Sequence, residues 1–287
     1  MAFIEVLKAI ILGIIEGITE WLPVSSTGHM LLVDEFLKLD VSEQFRSLFM
    51  VVIQLGAILA VVVIYWKEIW PFGIKAADEY DHAGGKRISI SKRKIIMWLK
   101  IIVACVPAAV IGILFDEKFE ELFYHPIPIA LALIVIGVLF LFITEPKGNR
   151  EVVKISQLTY KDAIIIGIWQ LLAAIFPGTS RSGATIIGAL LLGVSKKIAA
   201  EFTFYLAIPV MFGASLLKIV KFIKDGFSAT GTEITMLLVG MVVAFIVSVI
   251  VIKFLMSFIK KHSFKAFGVY RIILGLIIIG YFGFIHK

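Results

Sequence analysis

Charged residues are scarce in this sequence, and cysteine is almost absent. Only 17% of the 287 residues are charged and 60% are hydrophobic, whereas soluble domains carry about 25% and roughly 45–50%. This composition excludes an ordinary soluble domain and a disordered chain. The single cysteine, Cys105, excludes a disulfide framework and a thiolate metal site. The sequence therefore predicts a protein whose solvent is a lipid bilayer.

The net charge of +7 does not indicate a nucleic-acid-binding protein. The basic residues separate long apolar runs and do not alternate with exposed aromatic residues along a polar face. We also expect no cleavable signal peptide, because the first apolar stretch contains Glu5, Lys8 and Glu16 and lacks a small-residue cleavage site.

Six apolar windows are long enough to cross a bilayer as helices. A hydrocarbon core of about 30 Å requires about 20 apolar residues. The predicted spans are 47–66, 95–115, 127–144, 198–217, 234–256 and 266–285. The predicted fold class is therefore an all-α integral membrane protein with six transmembrane helices.

Two further apolar regions, 3–33 and 161–194, are interrupted by polar turns. The turns are PVSSTGH from Pro23 and PGTSRSGAT from Pro177. Each half is too short to span comfortably, so we predict two re-entrant helical hairpins that leave the membrane on the side where they entered. Irregular backbone at membrane depth is tolerated only where protein or a water-filled cavity surrounds it, which predicts one internal site formed by both turns. The alternative is two ordinary surface loops.

The two hairpins also resemble each other in sequence. GIIEGITEWLPVSSTGH from Gly13 and GIWQLLAAIFPGTSRSGAT from Gly167 share Gly, Ile, Pro and Ser (Ser26 with Ser180) at a spacing of 154 residues, and a one-residue insertion aligns Gly28 with Gly183. Each hairpin precedes three predicted spans. Because three is odd, the second copy enters the bilayer upside down, as in an inverted-topology repeat. The alternative is chance similarity. The expected division of the single membrane domain 1–287 is repeat 1 at about 1–145 and repeat 2 at about 160–287.

Lysine and arginine residues predict the orientation in the membrane. The termini and loops 34–46, 116–126 and 218–233 share one face, and loops 67–94, 145–161, 194–197 and 259–265 share the other. The second face carries sixteen basic residues and the first carries eight. The positive-inside rule therefore places the second face in the cytoplasm and both termini outside.

Glu16 and Glu20 are acidic residues inside the first predicted hairpin. A charged group at bilayer depth costs about 2.5–3.5 kcal/mol on insertion scales, so each needs a reason. Their four-residue spacing places both carboxylates on one helix face, where a divalent cation between them would relieve their repulsion. Mg²⁺ and Ca²⁺ bind carboxylate oxygens together with substrate phosphate oxygens. The alternative is an interfacial Glu20 and a protonated Glu16.

Histidine and hydroxyl side chains follow these acids. His29 is the one histidine of five inside an apolar segment, and it comes directly after Ser25, Ser26, Thr27 and Gly28. A serine hydroxyl beside a histidine can be activated as a nucleophile by loss of its proton. A purely structural histidine is the alternative.

Arg181 lies in the second turn among the hydroxyls of Ser180, Ser182 and Thr185. Since a helix restarts here, backbone amides and the positive end of its dipole should face the turn. The guanidinium of Arg181 can bind phosphate through two hydrogen bonds. Together, the guanidinium and the helix amides predict an oxyanion site. Ser25 to Gly28 precede the other return helix and would supply a second set of donors. The alternative is an arginine that extends to the membrane surface. Glu201 and Gln54 stay unassigned.

The motifs GxxEGxTEWLPVSSTGH and PGTSRSGAT resemble those of the undecaprenyl-diphosphate phosphatase family, the bacterial bacitracin-resistance proteins. The resemblance covers essentially the whole chain. It implies a phosphatase of the bacterial cytoplasmic (inner) membrane, with a site open to the outside, that converts undecaprenyl diphosphate to undecaprenyl phosphate and inorganic phosphate. This reaction recycles the lipid carrier for peptidoglycan synthesis and confers bacitracin resistance. The resemblance also implies a divalent cation as cofactor.

The resemblance assigns functional roles to two sets of residues. They are Glu16, Glu20, Ser26, Thr27 and His29 in the first motif and Ser180, Arg181, Ser182 and Thr185 in the second. We expect Arg181 to bind the diphosphate, Ser26 to attack the terminal phosphorus and His29 to take its proton, while Glu16 and Glu20 hold Mg²⁺ or Ca²⁺. Direct attack by a metal-activated water is the alternative.

Two other functions use similar features. A secondary transporter or flippase of a phosphorylated polyprenyl lipid also has inverted repeats, but it has no need of the Ser-Ser-Thr-Gly-His cluster. A lipid phosphatase with a phosphatidic-acid phosphatase signature needs a second histidine after the Ser-Arg pair, where this chain has SGATIIG. The expected partners are the polyprenyl diphosphate and the bilayer, without nucleic acid, and a homodimer is left open.

Overall fold

A computed structural model describes residues 2–75, 87–143, 145–147 and 151–285 of the chain. Several features of the sequence predictions lie outside these residues. They are the middle of loop 67–94, the last residue of the window 127–144, and three of the counted basic residues, Lys86, Arg150 and Lys287.

Helices make up most of the described chain. In order they are α1 (Ala2–Thr19), α2 (Ser26–Phe36), α3 (Glu43–Val52), α4 (Gln54–Ile64), α5 (Trp66–Ile69), α6 (Lys92–Phe123), α7 (Pro126–Phe142), α8 (Tyr160–Ile175), α9 (Arg181–Leu191), α10 (Lys196–Lys224), α11 (Gly231–Lys261) and α12 (Lys265–Gly280). A 3₁₀ turn covers Ile155–Gln157 and a π-helical turn covers Tyr281–Ile285. Two short antiparallel strands, β1 (Phe72–Lys75) and β2 (Arg87–Ile90), pair with Phe72 opposite Ile90.

Five helical segments are long and apolar enough to cross a bilayer, judged by length and composition. They are Glu43–Ile64, Lys92–Gly112, Lys196–Lys224, Gly231–Lys261 and Lys265–Gly283. The chain is therefore an all-α, multi-pass membrane protein. The predicted window 127–144 forms a shorter apolar helix, the 17-residue α7. The predicted loop 116–126 is wrong in its extent, because α6 continues to Phe123 and α7 begins at Pro126.

Two short helices follow the two polar turns. α2 and α9 contain 11 residues each, and at 1.5 Å per residue neither is long enough to cross a bilayer. Each starts from a serine with a positive φ, 73° at Ser25 and 67° at Ser180, the two non-glycine residues with this conformation in the described chain. Each serine side chain accepts a hydrogen bond from the amide of the glycine three residues later, Gly28 or Gly183. L-residues seldom adopt a positive φ because it strains the backbone, and the hydrogen bond of the cap compensates for this strain.

The matching caps correct the predicted alignment of the two turns. Ser25, and not Ser26, is the structural counterpart of Ser180, so the spacing between the caps is 155 residues. The cause is one extra residue between Pro177 and its cap, compared with Pro23 and its cap. Arg181 therefore corresponds to Ser26, and each is the first residue of its short helix.

Close helix contacts hold the two hairpins in the bundle. α1 packs against α11 and α8 packs against α6. A Cβ atom added to Gly13 of α1 would lie 2.6 Å from the carbonyl oxygen of Gly240, and one added to Gly167 of α8 would collide with the carbonyl oxygen of Ala104. Both glycines allow direct backbone contact at equivalent points of the two hairpins. The helices α7 and α12 also pack together.

Candidate phosphate-binding site between the two turns

The two polar turns meet through an ion pair. Nη2 of Arg181 donates a hydrogen bond to Oε1 of Glu20 at 2.8 Å, and both side chains are nearly buried, with 12% and 9% exposed. Oγ of Ser182 donates to the backbone carbonyl oxygens of Glu20 and Leu22 at 3.2 and 3.4 Å. Residues about 160 positions apart thus form one cluster, as the sequence predicts for a shared site.

Glu20 also binds the hydroxyl group of the first turn. Oγ of Ser26 donates to Oε2 of Glu20 at 3.2 Å. One carboxylate therefore joins Ser26, at the start of α2, to Arg181, at the start of α9. Because the serine hydroxyl donates its hydrogen to Glu20, its oxygen lone pairs stay available. Thr27, the second residue of α2, is half-buried.

Arg181 keeps one unpaired donor. Nη1 donates to the carbonyl oxygen of Thr203 on α10 at 3.1 Å, whereas the buried Nε has no hydrogen-bond partner in the described residues. A buried donor without a partner costs about 1–3 kcal/mol, so an incoming anion that accepts from Nε would remove this cost. The first amides of α2 and α9 likewise have no partner within their own helices, and the dipoles of both helices favour an anion at these ends.

The other hydroxyls of the second turn form hydrogen bonds with neighbouring protein groups. Thr185 is fully buried, and its Oγ1 bonds to the carbonyl oxygen of Arg181 at 2.9 Å and to Oγ1 of Thr203 at 2.8 Å. Ser180 and Ser182 share a hydrogen bond of 3.1 Å between their hydroxyls. These three side chains therefore orient the turn around Arg181, and their predicted contact with phosphate stays a prediction.

His29 lies one helical turn after Ser26 but contacts other groups. Its Nδ1 is 2.7 Å from the carbonyl oxygen of Ser25, and its Nε2 is 2.7 Å from the hydroxyl of Tyr270 on α12. The proton acceptor that the structure places on Ser26 is Glu20 and not His29. The role of His29 in proton transfer stays a prediction.

Glu16 and Gln170 are buried polar residues at equivalent positions of α1 and α8. Glu16 is 1% exposed and Gln170 is 2% exposed. Neither Oε1 of Glu16 nor either amide atom of Gln170 has a hydrogen-bond partner in the described chain. Both side chains therefore retain free binding capacity beside the turns, and the counterpart of the acidic Glu16 is a neutral amide.

The donor set fits a cation that is completed by substrate. Among the described residues no three His, Cys, Asp or Glu side chains cluster as a metal site. The carboxylates beside the turns are those of Glu16 and Glu20, and both oxygens of Glu20 already accept hydrogen bonds from Ser26 and Arg181. Mg²⁺ is commonly held by one or two carboxylates together with substrate phosphate oxygens and water. The unpaired Oε1 of Glu16 is available for such an ion.

Arg271 is a central residue that the sequence did not single out. It lies on α12 and is fully buried. Its Nη1 donates to the carbonyl oxygen of Pro23 at 3.2 Å, its Nη2 donates to those of Gly178 and Thr179 at 2.8 and 2.9 Å, and its Nε donates to that of Leu133 at 3.3 Å. One guanidinium therefore binds both turns and α7. The sequence signal for Arg271 is its charge, since it is the sixth residue of the apolar window 266–285. Burying a charged side chain in such a window costs free energy and calls for an explanation.

Comparison with known proteins identifies the family. The family described as bacitracin resistance protein BacA matches residues 9–277. The chain belongs to this BacA family.

Relatives of this BacA protein align over almost their entire length. A protein of Desulfitobacterium hafniense named undecaprenyl-diphosphatase is 61% identical over 284 residues, covering 98% of each chain. Undecaprenyl-diphosphatase 1 of Clostridium acetobutylicum is 56% identical, over 98% of this chain and 99% of its own. An undecaprenyl-diphosphatase of Enterococcus faecalis is 55% identical, over 96% and 97%.

The two unassigned residues have ordinary surroundings in this BacA protein. Glu201 lies near the start of α10, 3.7 Å from Nζ of Lys197 one turn earlier. Gln54 is the first residue of α4. Neither observation places them in the cluster of Glu20, Ser26 and Arg181.

Proposed function

We propose that this protein hydrolyses undecaprenyl diphosphate to undecaprenyl phosphate and inorganic phosphate. The observation that carries the proposal is the continuous contact from Ser26 through Glu20 to Arg181, which joins a nucleophile to an anion-binding group. Relatives that are 55–61% identical over nearly their full length bear the name undecaprenyl-diphosphatase. The reaction recycles the lipid carrier of peptidoglycan synthesis and confers resistance to bacitracin, in agreement with the family description.

Substrate binding depends on positive charge at the two turns. Arg181 binds the diphosphate through its unpaired Nε, and the first amides of α2 and α9 donate to the remaining oxygens. Because the fold already holds these donors in place, they stabilise the additional negative charge of the transition state without the reorganisation that solvent would need. This charge stabilisation is the main source of the rate enhancement.

Ser26 supplies the nucleophile. Its Oγ attacks the terminal phosphorus, its proton passes to the hydrogen-bonded Glu20, and the bond from phosphorus to the bridging oxygen breaks, which releases undecaprenyl phosphate. Water then attacks the phosphorus of the phosphoserine and His29 takes the proton of this water. The bond from phosphorus to Oγ of Ser26 breaks, Glu20 returns its proton to that oxygen, and inorganic phosphate leaves. The alternative for the first step is direct attack by an activated water.

Glu16 and Glu20 would hold the divalent cation, Mg²⁺ or Ca²⁺, that we propose as cofactor. When bound, such an ion supplies positive charge that neutralises phosphate oxygens. The support is the donor set and the unpaired Oε1 of Glu16.

We also propose six spans and two re-entrant hairpins arranged as an inverted-topology repeat, with α7 as the sixth span. Equivalent features of the two halves support it. α1 packs on α11 as α8 packs on α6, Gly13 and Gly167 make matching backbone contacts, and Ser25 and Ser180 form matching caps. We place the protein in the inner membrane with both termini outside and the site open to the outside, which the distribution of basic residues supports.

The deciding experiment measures phosphate release from a long-chain polyprenyl diphosphate by purified protein in detergent. The wild type is compared with the Ser26→Ala and Arg181→Ala variants, each with added Mg²⁺ or Ca²⁺ and with chelator. We expect cation-dependent release that falls at least about 100-fold in both folded variants. A wild type that binds the lipid but releases no phosphate with any cation would contradict the proposal and favour a transporter of the same lipid.

A further inference from the structure

Tyr270 lies against His29 at the edge of the site. The hydroxyl of Tyr270 is 2.7 Å from Nε2 of His29. The two rings are nearly parallel, with 8° between their planes and 5.6 Å between their centres. Tyr270 belongs to neither sequence motif and lies 241 positions after His29. On the basis of the proposed phosphatase function, we propose that Tyr270 is a positioning residue that sets the ring orientation of His29 by donating a hydrogen bond to its Nε2.

The hydrogen-bond partners of His29 determine where its proton lies. The carbonyl oxygen of Ser25, 2.7 Å from Nδ1, can only accept a hydrogen bond. Nδ1 therefore carries the proton and donates it. In the neutral ring Nε2 then has a lone pair, so the hydroxyl of Tyr270 must be the donor in the second contact. Both nitrogens have a defined role, and neither role requires Ser26.

This arrangement prepares His29 to act as a base. Nε2 is the nitrogen that can take a proton, and the two hydrogen bonds restrain the rotation of the ring. When water takes the place of the tyrosine hydroxyl at Nε2, the ring already has the required tautomer and direction. Tyr270 thus acts through His29. Its hydroxyl holds the ring at Nε2 until water replaces it, while the carbonyl oxygen of Ser25 fixes the tautomer at Nδ1.

The position of Tyr270 is itself set by its helix. The next residue, Arg271, binds the carbonyl oxygens of Pro23, Gly178 and Thr179. Two residues before Tyr270, Gly268 packs so closely on α7 that an added Cβ would lie 2.7 Å from the carbonyl oxygen of Gly137. α12 can therefore neither slide nor rotate freely, which fixes the backbone position from which the tyrosine side chain reaches Nε2.

The test replaces Tyr270 by phenylalanine, which keeps the ring and removes the hydroxyl. We expect the Tyr270→Phe variant to lose roughly tenfold in kcat with little change in KM. Nitrogen-15 spectra of histidine-labelled protein should show Nδ1 protonated in both proteins, and a shifted Nε2 signal in the variant, because Nε2 has lost its hydrogen bond to the tyrosine hydroxyl. The His29→Gln variant assigns the signal among the five histidines. Tyr160→Phe, the same change at the start of α8, is the matched control and should change neither kcat nor the spectrum.

Several outcomes would overturn the proposal. Unchanged kcat and an unchanged His29 signal in Tyr270→Phe exclude a positioning role. A raised KM at constant kcat shows that Tyr270 contacts the lipid instead. A wild-type spectrum with the proton on Nε2 refutes the assigned tautomer without any variant. If the spectra agree but the wild type releases no phosphate, the phosphatase function fails and the hydrogen-bond assignment stands.

Discussion

At the scale of single residues, the site depends on two buried arginines with different partners. Arg181 pairs with the carboxylate of Glu20, whereas the described partners of Arg271 are four backbone carbonyl oxygens. Carbonyl groups carry only partial charges, so the charge of Arg271 is less fully compensated than that of Arg181. Arg271 therefore adds a positive potential beside an anion site while it holds both turns in place.

Replacement of Arg271 by methionine should lower both stability and activity. The variant leaves four buried carbonyl groups without their donor, and we expect a loss of roughly 2–4 kcal/mol in stability. Thermal unfolding in detergent and phosphate release measure the two effects. The matched control is Lys253→Met, which removes a positive charge from an exposed position of α11. An Arg271→Met variant with the stability and activity of the control would contradict this role.

At the scale of secondary-structure elements, short helices and their caps form the site. The first residues of α2 and α9, Ser26 and Arg181, bind the same carboxylate of Glu20, so the N-termini of both short helices lie close together. The two capping serines have a positive φ, a backbone conformation that costs about 1–3 kcal/mol. Close packing of the preceding helices α1 and α8 positions these strained turns.

Two glycines test this packing. Gly13→Ala and Gly167→Ala would each place a Cβ against the backbone carbonyl of a neighbouring helix, so we expect a loss of about 1–3 kcal/mol in stability from each. Since both displace a helix that leads into the site, phosphate release should fall as well. Gly213→Ala is the matched control, because an added Cβ there meets nothing within 4 Å inside α10. It should be neutral or slightly stabilising. Equal stability of all three variants would contradict the argument.

At the scale of the whole molecule, orientation in the membrane decides which compartment reaches the site. In the inverted-repeat arrangement that we propose, one turn from each half reaches a common point. The distribution of basic residues predicts that the loop around Ser228, between the end of α10 and the start of α11, lies outside, and that the segment around Lys154 lies in the cytoplasm.

Cysteine labelling in cells checks this orientation. Cys105 is first replaced by alanine, and Ser228→Cys or Lys154→Cys is added, because both positions are exposed. A membrane-impermeant thiol reagent should label the Ser228→Cys variant in intact cells and the Lys154→Cys variant only after lysis. The variant without cysteine is the control for unspecific labelling. The reverse pattern would place the site on the cytoplasmic side.

The sequence by itself determined the membrane character, the main spans and the two turns. Long apolar runs have few alternatives to a helix in lipid, and buried charges such as Glu16, Glu20 and Arg181 stand out against them. Tertiary structure alone decided the partners of these residues. The hydroxyl of Ser26 is hydrogen-bonded to Glu20 and not to His29. His29 is hydrogen-bonded to Tyr270, and Arg271 binds both turns. These contacts join residues up to 248 positions apart, and their formation depends on helix packing, which apolar patterns along one chain do not specify.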